Sequence, residues 1–180
     1  MVAAAAILNP MNLLELLAKF GLTGQVGPIY PGAILTDLAT RLGPPWDIGR
    51  ISKRNRWPHL FAYGDVELVA CRCRIVTHIS IQVHRKRIEL PALQGGMITI
   101  APGQLTFEQI ASALHGAQCR WHLDRDSPGS RTLRTEPAGA HFVFDTAVGP
   151  TPILHAASVF GAQHQCPPIP PGQPDDGLGR

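Results

Sequence analysis

The sequence is poor in charged residues, aromatic residues and long apolar runs, and each shortage excludes a class of protein. Only 16% of its 180 residues are charged and 6% are aromatic, which disfavours a dedicated nucleic-acid-binding protein. No apolar run approaches the roughly 18 residues that a transmembrane helix requires. The apolar fraction of 44% is close to the globular norm, and 18 glycines and 17 prolines add many turns. These numbers predict a compact, loop-rich domain without a membrane segment.

Motifs of the common enzyme classes are also missing. The chain contains no H-E-x-x-H, G-x-S-x-G, Walker or G-x-G-x-x-G motif, and no strand-end pair of carboxylates. We therefore expect a non-enzymatic protein that needs no cofactor. The alternative is a small enzyme with dispersed catalytic residues, or a ligand-binding domain with a pocket between sheet and helices.

The N-terminus lacks the features of a secretory signal. No Lys or Arg precedes Lys19, and the first apolar stretch ends at Pro10 without a small-residue cleavage site. We expect residues 1–10 to form a disordered leader, with translation starting at Met1 or at Met11. Four cysteines are too few for a disulfide framework in a chain of this length, so we expect a reducing, cytoplasmic location.

Three segments have the apolar spacing of amphipathic helices. Leucines recur at helical spacing over residues 11–22, where Gly21 is a natural stop. A second stripe covers residues 34–42 and is followed by Gly43, which suits the left-handed position after a helix. A third helix is predicted to begin at residues 106–109, because Thr-Phe-Glu-Gln forms a capping box.

Alternation of apolar and polar residues predicts strands in both halves of the chain. The longest example, residues 75–83, places Ile75, Ile79, Ile81 and Val83 on one side and polar residues on the other. Such a pattern is typical of a half-buried antiparallel strand. The other predicted strands cover residues 60–63, 66–71, 86–90, 119–123, 131–135, 141–146 and 153–160.

The order of these elements predicts an α+β fold, with helices packed on one face of an antiparallel sheet. We expect a single domain over residues 11–164 and a disordered, proline-rich tail over residues 165–180. The predicted helices of the two halves are similar in character. The domain is therefore also a candidate for two tandem α-β-β-β units, covering residues 11–92 and 103–160. The alternative is that any two capped amphipathic helices look this much alike.

Positive charge is concentrated in the middle of the chain. Residues 50–87 carry nine Lys and Arg against Asp65 and Glu67. Four of these cations lie just before Trp57, in a segment that we expect to be an exposed loop. Arginines beside an exposed tryptophan are typical of protein interfaces. In the alternative, Trp57 turns inward to cover the core and the arginines are merely solvated. The candidate binding residues are Arg50, Arg54, Arg56, Trp57 and His59.

The cysteines do not have the sequence spacing of metal ligands. Zinc sites typically draw their ligands from two Cys or His pairs, each with about two to four intervening residues. Residues 71–73 form a Cys-Arg-Cys sequence, and Cys119 and Cys166 lie far along the chain. His78 and His84 share one strand face but are roughly 20 Å apart, at about 3.3 Å per residue. We therefore expect no metal site and interpret the cysteines as small buried hydrophobes.

Residues 34–83 resemble a recurrent bacterial pattern. Residues 42–45 end a helix in Leu-Gly-Pro-Pro, residues 61–68 form a strand with an aromatic-Gly-Asp sequence, and an isoleucine-rich strand follows. The pattern resembles that of small uncharacterised proteins of high-GC Gram-positive bacteria, some of which look like immunity proteins of polymorphic toxin systems. It is also similar in outline to the α-α-β-β-β unit of BamE-like domains. The resemblance implies an immunity or adaptor protein whose partner is a cognate toxin or another protein, and it implies no catalytic residue.

Overall fold

The computed structural model describes residues 10–168, apart from residues 55, 93–95, 148 and 163. The helices of this part of the chain are α1 (Pro10–Thr23), α2 (Leu35–Leu42) and α3 (Phe107–Gly116). The strands are β1 (Trp46–Arg50), β2 (His59–Tyr63), β3 (Val66–Ala70), β4 (Val76–Gln82), β5 (Ile88–Pro91), β6 (Met97–Ile100), β7 (Arg120–Ser127), β8 (Ser130–Glu136), β9 (His141–Asp145) and β10 (Ile153–Phe160). Residues 1–9 of the predicted leader and residues 169–180 of the predicted tail lie outside the described residues.

Eight of the strands form one antiparallel sheet in the order β1-β2-β3-β4-β10-β9-β8-β7, and β5 pairs with β6 in a separate ribbon. This arrangement confirms the predicted α+β fold with an antiparallel sheet. Each half of the chain contributes a helix followed by a four-stranded meander, and the two meanders meet where β4 pairs with β10. The predicted repeat unit had only three strands, and the duplication itself stays a prediction. None of the described helices is long and apolar enough to cross a membrane.

Helix α1 packs on α3 through a close contact at Gly21. A Cβ atom at this position would lie 2.6 Å from the Leu114 side chain and 3.3 Å from that of Phe142. The prediction that Gly21 ends the helix was wrong, because α1 continues to Thr23 and the left-handed glycine after it is Gly24, with φ +68°. Gly21 therefore gives α3 room to approach α1, which positions both helices over the core.

Strand β4 departs from the predicted alternation at its first residues. Ala70 of β3 pairs with Val76, whereas the preceding residue of β3 pairs with His78, so that β4 contains one extra residue at this point. Such a bulge changes the face on which the preceding side chains lie. Val76 is consequently buried in the core, while Ile75, expected there with Ile79, is only half-buried.

Candidate metal centre and adjoining cavity

Several strands end side by side at one end of the sheet. The loops and turns that connect these strand ends form the candidate site. The antiparallel register places Arg50 opposite His59, and His59 opposite Ala70. Further along the sheet it places His78 opposite Phe160. Three connections therefore leave the sheet side by side. They are residues 51–58 (the β1–β2 loop), residues 71–75 (the β3–β4 turn) and residues 161–168 (the C-terminal segment).

The β3–β4 turn carries Cys71 and Cys73 in a tight, hydrogen-bonded loop. The N–H of Cys71 donates to the carbonyl of Ile75 at 2.9 Å, and the N–H of Arg74 donates to the carbonyl of Cys71 at 2.8 Å. Arg74 has φ +60°, in the left-handed region that closes such turns. The backbone of the turn thus holds two thiols close together at the end of the hairpin.

The C-terminal segment leaves β10 through Gly161. Its N–H donates to the carbonyl of Thr77 at 2.9 Å, which extends the pairing between β10 and β4 by one residue. A Cβ atom at Gly161 would lie 2.7 Å from Cβ of Pro31, so only glycine fits here without displacement. This path directs the chain towards the β3–β4 turn, where His164 and Cys166 follow.

The side chains of Cys71, Cys73, His164 and Cys166 meet in one cluster, which we call the Cys/His cluster. Their four potential ligand atoms all lie within 4.8 Å of one another. The Nδ1 atom of His164 is 3.5 Å from Sγ of Cys71 and 3.5 Å from Sγ of Cys166. The sequence interpretation separated Cys166 from Cys71 and Cys73, because it lies far along the chain and within the predicted tail. The structure instead makes residues 164–168 part of the site and leaves Cys71, Cys73 and Cys166 only partly buried, so the interpretation of these three cysteines as small buried hydrophobes was wrong.

The thiols of the Cys/His cluster differ in acidity. Burial raises the pKa of Cys71 and of Cys73 above the ordinary thiol value. Burial also acts to raise the pKa of Cys166. Hydrogen bonds from the backbone N–H of Cys73 and from the side chains of His164, Cys71 and Cys73 outweigh that effect and lower the pKa of Cys166 to about 6. The cluster therefore contains a thiol that ionises readily near neutral pH, and the thiolate is the form that binds metals.

A cavity of about 1130 Å³ adjoins the Cys/His cluster. Its lining includes the cations Arg54, Arg56 and Arg72 together with the rings of His78 and Phe160. These two rings stack with their centroids 4.2 Å apart, and 63% of the surface of Phe160 is exposed. The cavity thus combines positive charge with an accessible aromatic surface.

Trp57 and His59 do not lie where the interface hypothesis placed them. Trp57 is only 8% exposed and belongs to the core, with its ring centroid 5.7 Å from that of His59 and 6.4 Å from that of Phe61. It borders the cavity, but its buried Nε1–H has no acceptor among the described residues. His59 is 6% exposed, and its Nε2 lies 2.6 Å from Oδ1 of Asp47. The alternative, in which Trp57 turns inward to cover the core, therefore holds.

The exposed tryptophan beside the basic residues is Trp46 on β1. Trp46 is 78% exposed, and Ile48 and Ile51 are about half-exposed. Arg50 at the end of β1 and Arg54 in the β1–β2 loop are both exposed beside this apolar surface. The sequence interpretation missed β1 because the segment is short and contains Gly49. The apolar residues Trp46 and Ile48 on either side of Asp47 were the signal that could have revealed a strand, although a bulge between Asp47 and Gly49 interrupts its register.

The basic segment of the sequence is divided between two ends of the sheet. Arg85 lies beyond the far end of β4, and its Nη1 is 2.6 Å from Oδ1 of the buried Asp65. The other carboxylate oxygen of Asp65 accepts the N–H of Glu89 at 2.7 Å. Arg85 therefore supports the contact between the β2–β3 turn and β5, whereas Arg54 and Arg56 line the cavity.

Comparisons of the chain with protein-family models, with curated proteins and with solved structures gave no match. A function is therefore proposed from the chemistry and geometry of the surface around β1, the cavity and the Cys/His cluster.

Proposed function

We propose that this protein is a non-enzymatic binding domain that recognises an acidic segment of a partner protein. The binding surface comprises β1, the β1–β2 loop and the adjoining cavity. The observation that carries the proposal is the apolar surface of Trp46, Ile48 and Ile51 beside the exposed cations Arg50 and Arg54. Tryptophan and arginine are the residue types that contribute most to binding energy at protein interfaces.

The position of β1 in the sheet favours a protein partner over a small molecule. β1 is an edge strand, and no described strand pairs with its outer side. An exposed edge offers a row of backbone donors and acceptors to an extended segment of another chain. Trp46 and Ile48 are exposed and are not among the residues that line the cavity, so apolar surface is available outside the cavity as well. An extended acidic segment would use the strand edge, the apolar surface and the arginines together.

The sequence supports the non-enzymatic part of this proposal. The common catalytic motifs are missing, and the resemblance of residues 34–83 to immunity-like proteins suggests a toxin as the partner. The four cysteines, without a disulfide framework, support a cytoplasmic place of action. A basic surface of this kind suits an acidic region of such a partner, since opposite charges accelerate association and select the partner.

The proposal is tested by comparing two double charge reversals of equal size. A partner is first captured by cross-linking in native cells, purified, and titrated against the purified protein. Arg50→Glu with Arg54→Glu should raise Kd at least tenfold, equivalent to about 1.4 kcal/mol, with a larger effect at low salt. Lys86→Glu with Arg87→Glu reverses two exposed cations at the other end of the sheet and should change Kd less than twofold.

Two outcomes would contradict the proposed surface. Equal weakening by both double variants would indicate a general effect of net charge rather than contact at the β1–β2 loop. An unchanged Kd for the Arg50/Arg54 variant would remove this loop from the interface. Unfolding of each variant, followed by circular dichroism, should match that of the wild type. Exposed substitutions should leave stability within about 0.5 kcal/mol.

A further inference from the structure

We propose that Cys71, Cys73, His164 and Cys166 bind one zinc ion in a closed, tetrahedral Cys₃His site. The two cysteines come from the β3–β4 turn, and the other two ligands come from the C-terminal segment. The ion would join two parts of the chain that are far apart in sequence. This inference does not depend on the identity of any partner protein.

Two of the six separations between the ligand atoms match those of a tetrahedral zinc site. Zinc binds thiolate sulfur at about 2.3 Å and imidazole nitrogen at about 2.0–2.1 Å, so sulfur and nitrogen ligands of one tetrahedron lie about 3.6 Å apart. The Nδ1 atom of His164 is 3.5 Å from Sγ of both Cys71 and Cys166. All four ligand atoms lie within 4.8 Å of one another, so an ion can reach each of them with small side-chain adjustments.

The chemistry of the ligand set selects zinc and a structural role. Thiolate and imidazole ligands suit zinc, whereas magnesium and calcium require oxygen. Four protein ligands complete the tetrahedron and leave no position for a water or a substrate, as in structural rather than catalytic zinc sites. The site would therefore stabilise the fold and take no part in a reaction.

The surroundings of the Cys/His cluster suit the charge of such a centre. Three thiolates, a neutral imidazole and Zn²⁺ carry a net charge of −1, and Arg72 lies between two of the ligands in sequence. The backbone N–H of Cys73 is within hydrogen-bond reach of the sulfur of Cys166. Donors of this kind orient metal-bound sulfur and disperse its charge.

Among the described residues, backbone–backbone hydrogen bonds attach the C-terminal segment to the sheet at Gly161 alone. The N–H of Gly161 pairs with the carbonyl of Thr77, but the described residues beyond it make no backbone–backbone hydrogen bonds. Residues 164–168 nevertheless form part of the cavity wall. Zinc bound by His164 and Cys166 would attach this wall to the β3–β4 turn.

The proposal is tested first by measuring the metal content of the untagged, full-length protein. Protein purified without added chelator should contain about one zinc per chain by elemental analysis. Removal of the zinc under reducing conditions should lower Tm and make the chain after β10 sensitive to protease, and one equivalent of zinc should restore both properties. Protein that contains no zinc and fails to take up one equivalent would overturn the proposal.

Variants identify the ligands, and cobalt reports how many thiolates coordinate. Cys73→Ser and Cys166→Ser should each weaken zinc binding by more than about 100-fold. Loss of a group that only hydrogen-bonds to a metal ligand typically weakens binding by roughly 10- to 100-fold. Cys119→Ser is the matched control, because this buried thiol lies between α3 and β7 and its sulfur contacts the carbonyls of Arg120 and Glu136. It should retain the full zinc content.

His164→Cys keeps the proposal testable if the serine variants do not fold. This variant should still bind one metal ion, and its cobalt form should show stronger sulfur-to-cobalt charge-transfer absorption than the wild type, since four thiolates replace three. Zinc retained at full affinity in both serine variants would place the metal elsewhere. A disulfide among Cys71, Cys73 and Cys166 in freshly purified protein, shown by mass spectrometry, would also overturn the proposal.

Discussion

The Sγ atom of Cys71 and the Nδ1 atom of His164 lie 3.5 Å apart, although 93 positions separate the two residues in the sequence. Their contact joins the β3–β4 turn to the segment that follows the last strand. Because the same segment forms part of the cavity wall, the proposed zinc site and the proposed binding surface are adjacent. Substitutions that displace the C-terminal segment should therefore weaken zinc binding more than they destabilise the sheet.

Gly161→Ala should weaken zinc binding although residue 161 is not a ligand. The added methyl group would lie 2.7 Å from Cβ of Pro31, so the chain leading to His164 must shift. We expect a loss of about 10- to 100-fold in zinc affinity, measured by competition with a chromophoric chelator. Gly149→Ala is the control, since a Cβ atom there has open space around it. Equal affinities for the two variants would show that Gly161 does not position the ligands.

Thr135→Val should destabilise the contact between α1 and the sheet. The buried Thr135 hydroxyl donates to the carbonyl of Gly21 at 2.6 Å and accepts the N–H of Ala140 at 3.1 Å. Valine has a similar shape but leaves both backbone groups without this partner, which should cost about 1–3 kcal/mol of unfolding free energy. Thr135→Ser keeps the hydroxyl and should cost less than the valine variant in urea unfolding. The reverse order would mean that packing, rather than hydrogen bonding, dominates at this position.

Truncation of Trp57 should lower stability, whereas truncation of Trp46 should weaken partner binding. Trp57→Ala removes a buried ring and should cost about 3–5 kcal/mol of unfolding free energy. Trp57→Phe should cost less, because it keeps an aromatic ring near Phe61 and removes a buried N–H that lacks an acceptor among the described residues. Trp46→Ala should change stability by no more than about 0.5 kcal/mol and should weaken partner binding. A large loss of stability for Trp46→Ala would show that β1 depends on this ring and would weaken the interface proposal.

The stability of the protein should fall as the pH is lowered through the range in which histidine titrates. Burial lowers the pKa of His78 below 6.5, and the nearby His141 lowers it further. Burial also lowers the pKa of His141, where Asp124 opposes the shift and Arg134 and His122 reinforce it. Below about pH 6.5 the unfolded chain therefore binds more protons than the folded one, and the free energy of unfolding decreases with falling pH.

The variant His78→Gln separates this contribution from other titrating groups. Urea unfolding between about pH 7.5 and pH 5.5 should show a shallower loss of stability for this variant than for the wild type. His84→Gln is the control, because His84 is exposed on the loop after β4. The Cys/His cluster is unchanged in all three proteins, so the difference between the slopes isolates His78. Identical slopes would contradict the effect of burial on His78.

Local sequence patterns correctly predicted structural features that depend on residues within a single helix or turn. The capping box at Thr106 is present, with the N–H of Gln109 donating to the Thr106 hydroxyl at 3.2 Å. Gly43 has the positive φ that the sequence indicated after α2, +84°, but its ψ of 175° differs from that of a left-handed helical cap. These features depend on residues within one turn of each other, which is why they can be read without knowledge of the tertiary structure. The bulge before His78 depends on the partner strand β3, and the sequence did not predict it.

The sequence by itself determined the α+β class and the antiparallel sheet, because apolar periodicity reports which face of each element is buried. Only the tertiary structure decided which tryptophan is exposed, since the inward turn of Trp57 depends on how the β1–β2 loop covers the end of the core. Only the tertiary structure assembled the Cys/His cluster. Cys166 reaches Cys71 through the combined registers of β3 with β4 and of β4 with β10, and no local spacing in the sequence records that path.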